Sequence, residues 1–204
     1  MPSIDHVTLD VADAAAAEVF YKTAFELGDA VRVRESQEPS DGFRGYTMSL
    51  VVSQPADVDA LLDAACGAGA TALKPAAKSF WGYGGVVQAP DGAIWKVATS
   101  NKKNTGPATT NVDQVVLLLG VGDVKATKAF YVERGLPVGK SFGSKYVDFD
   151  LSGSPVGLGL YQRAALAKDA GVAATGDGSH RISIASGAGS FTDPDGFVWR
   201  AARG

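Results

Sequence analysis

Residues 90–96 and 194–200 read PDGAIWK and PDGFVWR, and each copy of this heptad ends in a cation, Lys96 or Arg200. A protonated Lys or an Arg carries donors and no lone pair. Either can hold a carboxylate, a carbonyl oxygen or an oxyanion, and neither can ligate a metal. Proton transfer needs another group, and the chain has two histidines, His6 and His180. His6 sits in the alternating run IDHVTLDV, which also carries Asp10; it is the candidate general base. His180 opens GSHRISI and reads as a surface or capping group. Cys66 is the only cysteine, so neither an intrachain disulfide nor a thiolate metal cluster can form. Its helical, alanine-rich surroundings read as a small buried residue.

The stretch KSFWGYGG (78–85) is the most conspicuous loop, with Phe80, Trp81 and Tyr83 among glycines. It reads either as an aromatic wall for a flat ligand or as a loop pinned on the core by its rings. Tyr46, in GFRGYTMSLVV, is expected on a strand at the mouth of a cavity. No GxSxG, P-loop, GxGxxG or HExxH pattern occurs.

Two matching modules must position these residues. IDHVTLDVADAAAAEVFY (4–21) aligns with VDQVVLLLGVGDVKATKAFY (112–131), and GGVVQAPDGAIWKVA aligns with GAGSFTDPDGFVWRAA. Each copy has a β-rich run, then an Asp suited to cap a helix N-terminus (Asp13, Asp123), then a helix ending near Phe-Tyr. The Pro-Asp-Gly tripeptide fits a tight turn feeding a last strand. Modules are expected over 1–99 and 111–204, joined by the polar linker 100–110. Further strands are expected near 29–36, 45–53, 137–150, 156–161 and 180–186, and helices near 56–68 and 163–170. Alternation places His6, Thr8 and Asp10 on one face of the first strand and Val7, Leu9 and Val11 on the other. The same rule turns Trp95 and Trp199 into the core, away from Lys96 and Arg200.

These paired motifs, DHVTLDV…FYKTAFELG and PDGxxWx in the same order twice, resemble the glyoxalase/bleomycin-resistance/extradiol-dioxygenase proteins, the vicinal oxygen chelate superfamily. The resemblance implies an α+β fold of two tandem βαβββ modules whose curved mixed sheet surrounds a cavity. It also implies a divalent metal held by His or Gln on the first strands and Glu on the last. The matching positions here are His6, Gln114, Lys96 and Arg200. Two cations at about 4 Å repel by about 4 kcal/mol per unit charge at an effective dielectric of 20, and a dication doubles that. No metal or other cofactor is therefore expected. Lys96 reads either as the partner of Asp10 in a filled-in metal site or as a fixed cation facing a ligand.

Hydrophobic residues make up 46% of the chain and charged residues 20%, with a net charge of −3. No basic stripe or polybasic segment is present, so neither nucleic acid nor a membrane is an expected partner. Asp5 and His6 precede any apolar run, so no signal peptide is expected and the cytoplasm is the default location. The first functional expectation is metal-free binding of a small organic molecule by His6, Asp10, Tyr46, Trp81, Tyr83, Lys96, Gln114 and Arg200, with antibiotic sequestration as one form. The alternative is a metal-independent lyase or isomerase with His6 as base and Lys96 or Arg200 as electrostatic stabiliser. A metal-dependent glyoxalase or dioxygenase ranks last. Whether the modules pair within one chain or across a homodimer is left open.

Overall fold

The structure is a computed structural model that describes residues 3–202. The first repeat supplies β1 (Ile4–Val11), α1 (Ala14–Ala24), β2 (Val31–Glu35), β3 (Ser40–Gly42), β4 (Tyr46–Val51), α2 (Pro55–Gly67), β5 (Thr71–Ser79), β6 (Gly82–Gln88) and β7 (Ile94–Thr99). The second supplies β8 (Gln114–Val121), α3 (Val124–Glu133), β9 (Val138–Ser141), β10 (Tyr146–Phe149), β11 (Val156–Gln162), α4 (Arg163–Ala170), β12 (Gly176–Gly178), β13 (Ile182–Ser186), β14 (Phe191–Thr192) and β15 (Val198–Ala201). Among the described residues no helix is long and apolar enough to cross a membrane.

Each repeat starts as its sequence requires. Asp13 accepts from the Ala16 N–H at 2.9 Å, and Asp123 accepts from Lys125 and Ala126, so both helices begin at a carboxylate cap. The sheets, however, cross the repeat boundary. One has the order β14-β15-β13-β1-β2, and the other the order β5-β6-β7-β4-β8-β11-β10-β9. The first strand of each repeat lies parallel to a strand of its own repeat and antiparallel to a strand of the other: β1 to β2 and β13, β8 to β11 and β4. Pairing therefore occurs within the chain. A two-stranded ribbon of β3 and β12 was not apparent in the sequence, whose glycines and Asp41 and Asp177 lack strand character.

The inner faces of both sheets share one core with α1, α2 and α3. Val7, Leu9, Ile182, Ile184 and Trp199 from the smaller sheet meet Met48, Leu50, Trp95, Leu117 and Leu160 from the larger. Both tryptophans are buried, as alternation requires. Cys66 differs from expectation. It is exposed on α2, because the buried stripe of that helix runs through Val58, Leu61, Leu62 and Ala65.

The repeated heptad has a shared purpose in the core. Trp95 Nε1 donates to Tyr21 Oη at 3.3 Å, and Tyr21 Oη donates to Asp91 at 2.6 Å. In the second repeat Trp199 Nε1 donates to Tyr131 Oη at 3.3 Å, and Tyr131 donates in turn to Asp193. Burial, then the facing carboxylate, push both tyrosine hydroxyls well above their ordinary pKa and keep them protonated as donors. Each relay ties a helix to the turn before the last strand. Gly92 and Gly196 close these turns at φ +89° and +92°. At Gly92 the positive φ favours glycine, and a Cβ there would also displace the Arg44 guanidinium 2.7 Å away.

Tyr131→Phe leaves the Trp199 N–H unpartnered and removes one donor from the buried Asp193 carboxylate. It is expected to lower the unfolding free energy by about 1–3 kcal/mol in urea titration. A loss below about 0.5 kcal/mol would mean the relay adds little to stability.

Candidate functional site

The crossed pairing divides the sequence-predicted residues between two sheets. On the outer face of the smaller sheet, cross-strand register puts His6 level with Ala185, and Ala185 level with Arg200. One row away lie Arg32, Thr8, Ser183 and Val198, and Arg34 stands beside Asp10 in the next row. His6, Arg32 and Arg200 line one cavity of about 360 Å³, floored by Thr8, Ser183 and Ala185. The volume suits a small ligand.

The cations on this face are not equivalent. Arg34 forms a bidentate pair with Asp10, its Nε and Nη2 each 2.9 Å from a carboxylate oxygen. Asp10 is thereby committed to Arg34, in a sheet that does not contain Lys96. Arg181 donates to the carbonyls of Asp10, Glu38 and Ser36 at 2.7–2.8 Å. The two side-chain ion pairs among the described residues are Arg34–Asp10 and Lys96–Asp169, and neither involves Arg32 or Arg200. Arg32 and Arg200 are exposed and line the cavity.

His6 is tuned by this setting. Partial burial, then the Arg32 charge, lower its pKa from 6.5, against smaller opposing effects of Asp5 and Asp29. The imidazole is therefore neutral at pH 7 and carries a lone pair. Arg32 was missed in the sequence reading, although VRVRE alternates valine and arginine with the period of a one-sided strand.

The larger sheet treats its cation differently. Helix α4 lies across the outer face, where Leu166, Ala167 and Ala170 form a second core with Phe43, Val86, Ile94 and Leu118. Asp169 of α4 reaches Lys96 Nζ at 2.6 Å, and Lys74 Nζ donates to the carbonyls of Lys168 and Asp169 at 2.7 and 2.6 Å. Lys96 is thus neutralised by α4, and a cleft of about 290 Å³ survives beside it, lined by Trp81, Tyr83, Lys74 and Lys78. Gln114 is level with Val51 and thereby Ala98, two residues along from Lys96, and faces a separate cleft of about 320 Å³.

The aromatic residues also separate. Segment 78–85 is a β-hairpin and not a loop: Phe80 and Trp81 form the turn between β5 and β6, each 82% exposed, in edge contact at 5.0 Å. Tyr83 donates to Asp59 at 2.8 Å. Tyr46, expected at a cavity mouth, is instead buried on the inner face of β4, because its parity is that of Met48 and Leu50. Burial raises its hydroxyl above the ordinary tyrosine range. His180 is structural: its ring nitrogens lie 2.6 and 3.0 Å from the carbonyls of Arg44 and Asp195, and it stacks on Phe197 at 4.0 Å.

These positions do not fit a divalent metal. His6 and Arg200 share one cavity, Lys96 and Gln114 lie on the other sheet, and the two cations offer no lone pairs. Among the described residues no three His, Cys, Asp or Glu side chains converge on one point.

Because His6 binds a proton less readily when folded than when unfolded, stability falls as pH drops through the ordinary histidine value of 6.5. His6→Gln removes this contribution. The wild type is expected to lose more stability than the variant between about pH 7.5 and about pH 5.5, read from urea midpoints. Equal losses would mean His6 is not perturbed.

No protein-family model matches the chain, and no curated protein sequence does. Solved structures do. Glyoxalase I from Zea mays superposes with a TM-score of 0.64 over 98% of this chain and 91% of that chain, at 14% identity. A putative dioxygenase from Bacillus subtilis subsp. subtilis str. 168 gives 0.56 over 95% and 71%, at 12% identity. The crossed sheets of the two repeats therefore give this chain the fold of glyoxalase I.

Proposed function

We propose that this chain binds a small organic anion in the cleft over His6, without a metal. The observation that carries the reading is the pair of arginines, Arg32 and Arg200, that line the His6 cavity and belong to neither ion pair of the described residues. A guanidinium presents a planar fork of donors that matches a carboxylate, and such charge-assisted bonds contribute about 1.5–3 kcal/mol each. The hydroxyls of Thr8 and Ser183 supply further donors on the cavity floor. The larger sheet supports the reading less, since α4 covers its face and Asp169 occupies Lys96. Sequestration of an anionic or neutral antibiotic is one form that such binding takes, and the exposed arginines disfavour a cationic drug.

The lowered proton affinity of His6 favours a second reading, a metal-independent lyase or isomerase. A neutral imidazole between two guanidiniums can accept a proton from a carbon acid while the cations stabilise the resulting enolate.

Thermal-shift titration with small carboxylates and anionic antibiotics, with and without chelator, tests the first reading. Saturable stabilisation that survives chelation is expected, weakened about tenfold or more by Arg200→Ala. Absence of any stabilising anion, or about one equivalent of Ni, Zn, Fe or Mn in protein purified without chelator, would overturn it. Turnover of a bound carbonyl acid that His6→Gln abolishes, with binding retained, selects the enzyme; binding without turnover selects sequestration.

A further inference from the structure

We infer that the anion of the His6 cleft is a hydroxycarboxylate: its carboxylate meets the arginines, and its hydroxyl donates and accepts among His6, Thr8 and Ser183 on the cavity floor. The inference rests on the proposed anion-binding reading and specifies the class of anion.

Short side chains locate the hydroxyl subsite. A Ser or Thr oxygen is one bond from Cβ, so strand register places it, whereas the end of an arginine can swing through several rotamers. Thr8 and Ser183 are direct partners across β1 and β13, and His6, level with Ala185, is one diagonal step from Ser183. Direct partners have Cβ atoms about 4.5–5.5 Å apart, and diagonal ones about 7–8 Å, within reach of an aromatic ring. All three residues line the one cavity. Ser183 is only 4% exposed and still lines it, so the access its side chain has is from the cavity.

Among the described residues no hydrogen bond engages the Thr8 or Ser183 hydroxyl or a ring nitrogen of His6, whereas His180 sets both its ring nitrogens on carbonyl oxygens. The buried hydroxyls closed off without a partner are those of Ser40 and Tyr46; that of Ser183 opens on the cavity. Leaving a buried polar group unpaired is costly, so a ligand that covers this floor must bring hydrogen bonds to it. The neutral imidazole also specifies their type. One of its nitrogens offers a lone pair, and neither a carboxylate nor a keto oxygen has a proton to give it. An ammonium would give one, but it would share the cavity with the Arg32 and Arg200 guanidiniums. A hydroxyl supplies both a donor and an acceptor without adding charge.

Calorimetric titration of the whole chain at pH 7 with acids on one four-carbon skeleton tests the assignment: butyrate, 2-hydroxybutyrate, 3-hydroxybutyrate, 2-oxobutyrate and 2-aminobutyrate. At least one hydroxybutyrate is expected to bind about tenfold more tightly than butyrate, and more tightly than the oxo and amino acids. Ser183→Ala and Thr8→Val are each expected to weaken that hydroxybutyrate about threefold or more, with butyrate held within about twofold. Arg200→Ala weakens the whole series. Unaltered urea midpoints will verify that the variants fold, and the comparison of acids on the wild type depends on no variant. A hydroxyl preference that survives both floor substitutions, or an oxo acid that binds as tightly as the hydroxybutyrate, would overturn the floor assignment. Hydroxybutyrates that bind no better than butyrate would overturn the hydroxycarboxylate and leave the anion-binding reading standing. Failure of every acid to bind the folded wild type would overturn both.

Discussion

The antiparallel pairing of β1 with β13, and of β8 with β4, is the constraint on which this architecture depends. Neither repeat completes a sheet alone. The first strand of each is flanked by its own repeat on one side and by the other repeat on the second. A strand edge left open there would expose a row of backbone donors and acceptors, and exchange within one chain removes that cost at both places. The two halves thereby bury a single core, which repeats of this size could not do well separately.

The same exchange decides which functional residues meet. His6 from the beginning of the chain and Arg200 from its end lie level on one sheet, while Lys96 and Gln114 lie on the other beside separate clefts. The two faces then diverge. The larger sheet is covered by α4, whose Asp169 neutralises Lys96 and whose apolar side builds a second core. The smaller sheet keeps its face open, with arginines that belong to neither ion pair of the described residues beside a neutral imidazole. A dication there would meet two positive charges and one good donor, whereas an organic acid meets complementary charge.

Much of the scaffold was legible from residue types. Asp13 and Asp123 declared themselves as caps because a short carboxylate before an apolar periodic run has few other uses. Parity in the first and last strands placed Trp95, Trp199, His6 and Arg200 on the correct faces. Other residues were less readable. Tyr46 looked suited to a cavity mouth because of its hydroxyl, although the alternation of Met48 and Leu50 with Thr47 and Ser49 turns it to the inner face of its strand. Segment 78–85 looked like a loop because its glycines conceal a hairpin held by backbone bonds. Asp10 was a plausible partner for Lys96 until strand order put Arg34 next to it.

By itself the sequence determined the repeat, the capped helices, the turns before the last strands, and the cations Lys96 and Arg200 that end the two heptads. These are local properties, set by side-chain chemistry and by periods of 2 and 3.6 residues. Only the tertiary structure decided that Lys96 and Arg200 occupy different sheets, that α4 silences the first, and that Arg32 joins the second at His6. Those outcomes depend on which strands pair across about 180 residues of chain. Pairing of that kind follows from burying one common core and leaves no signature in any short stretch of sequence.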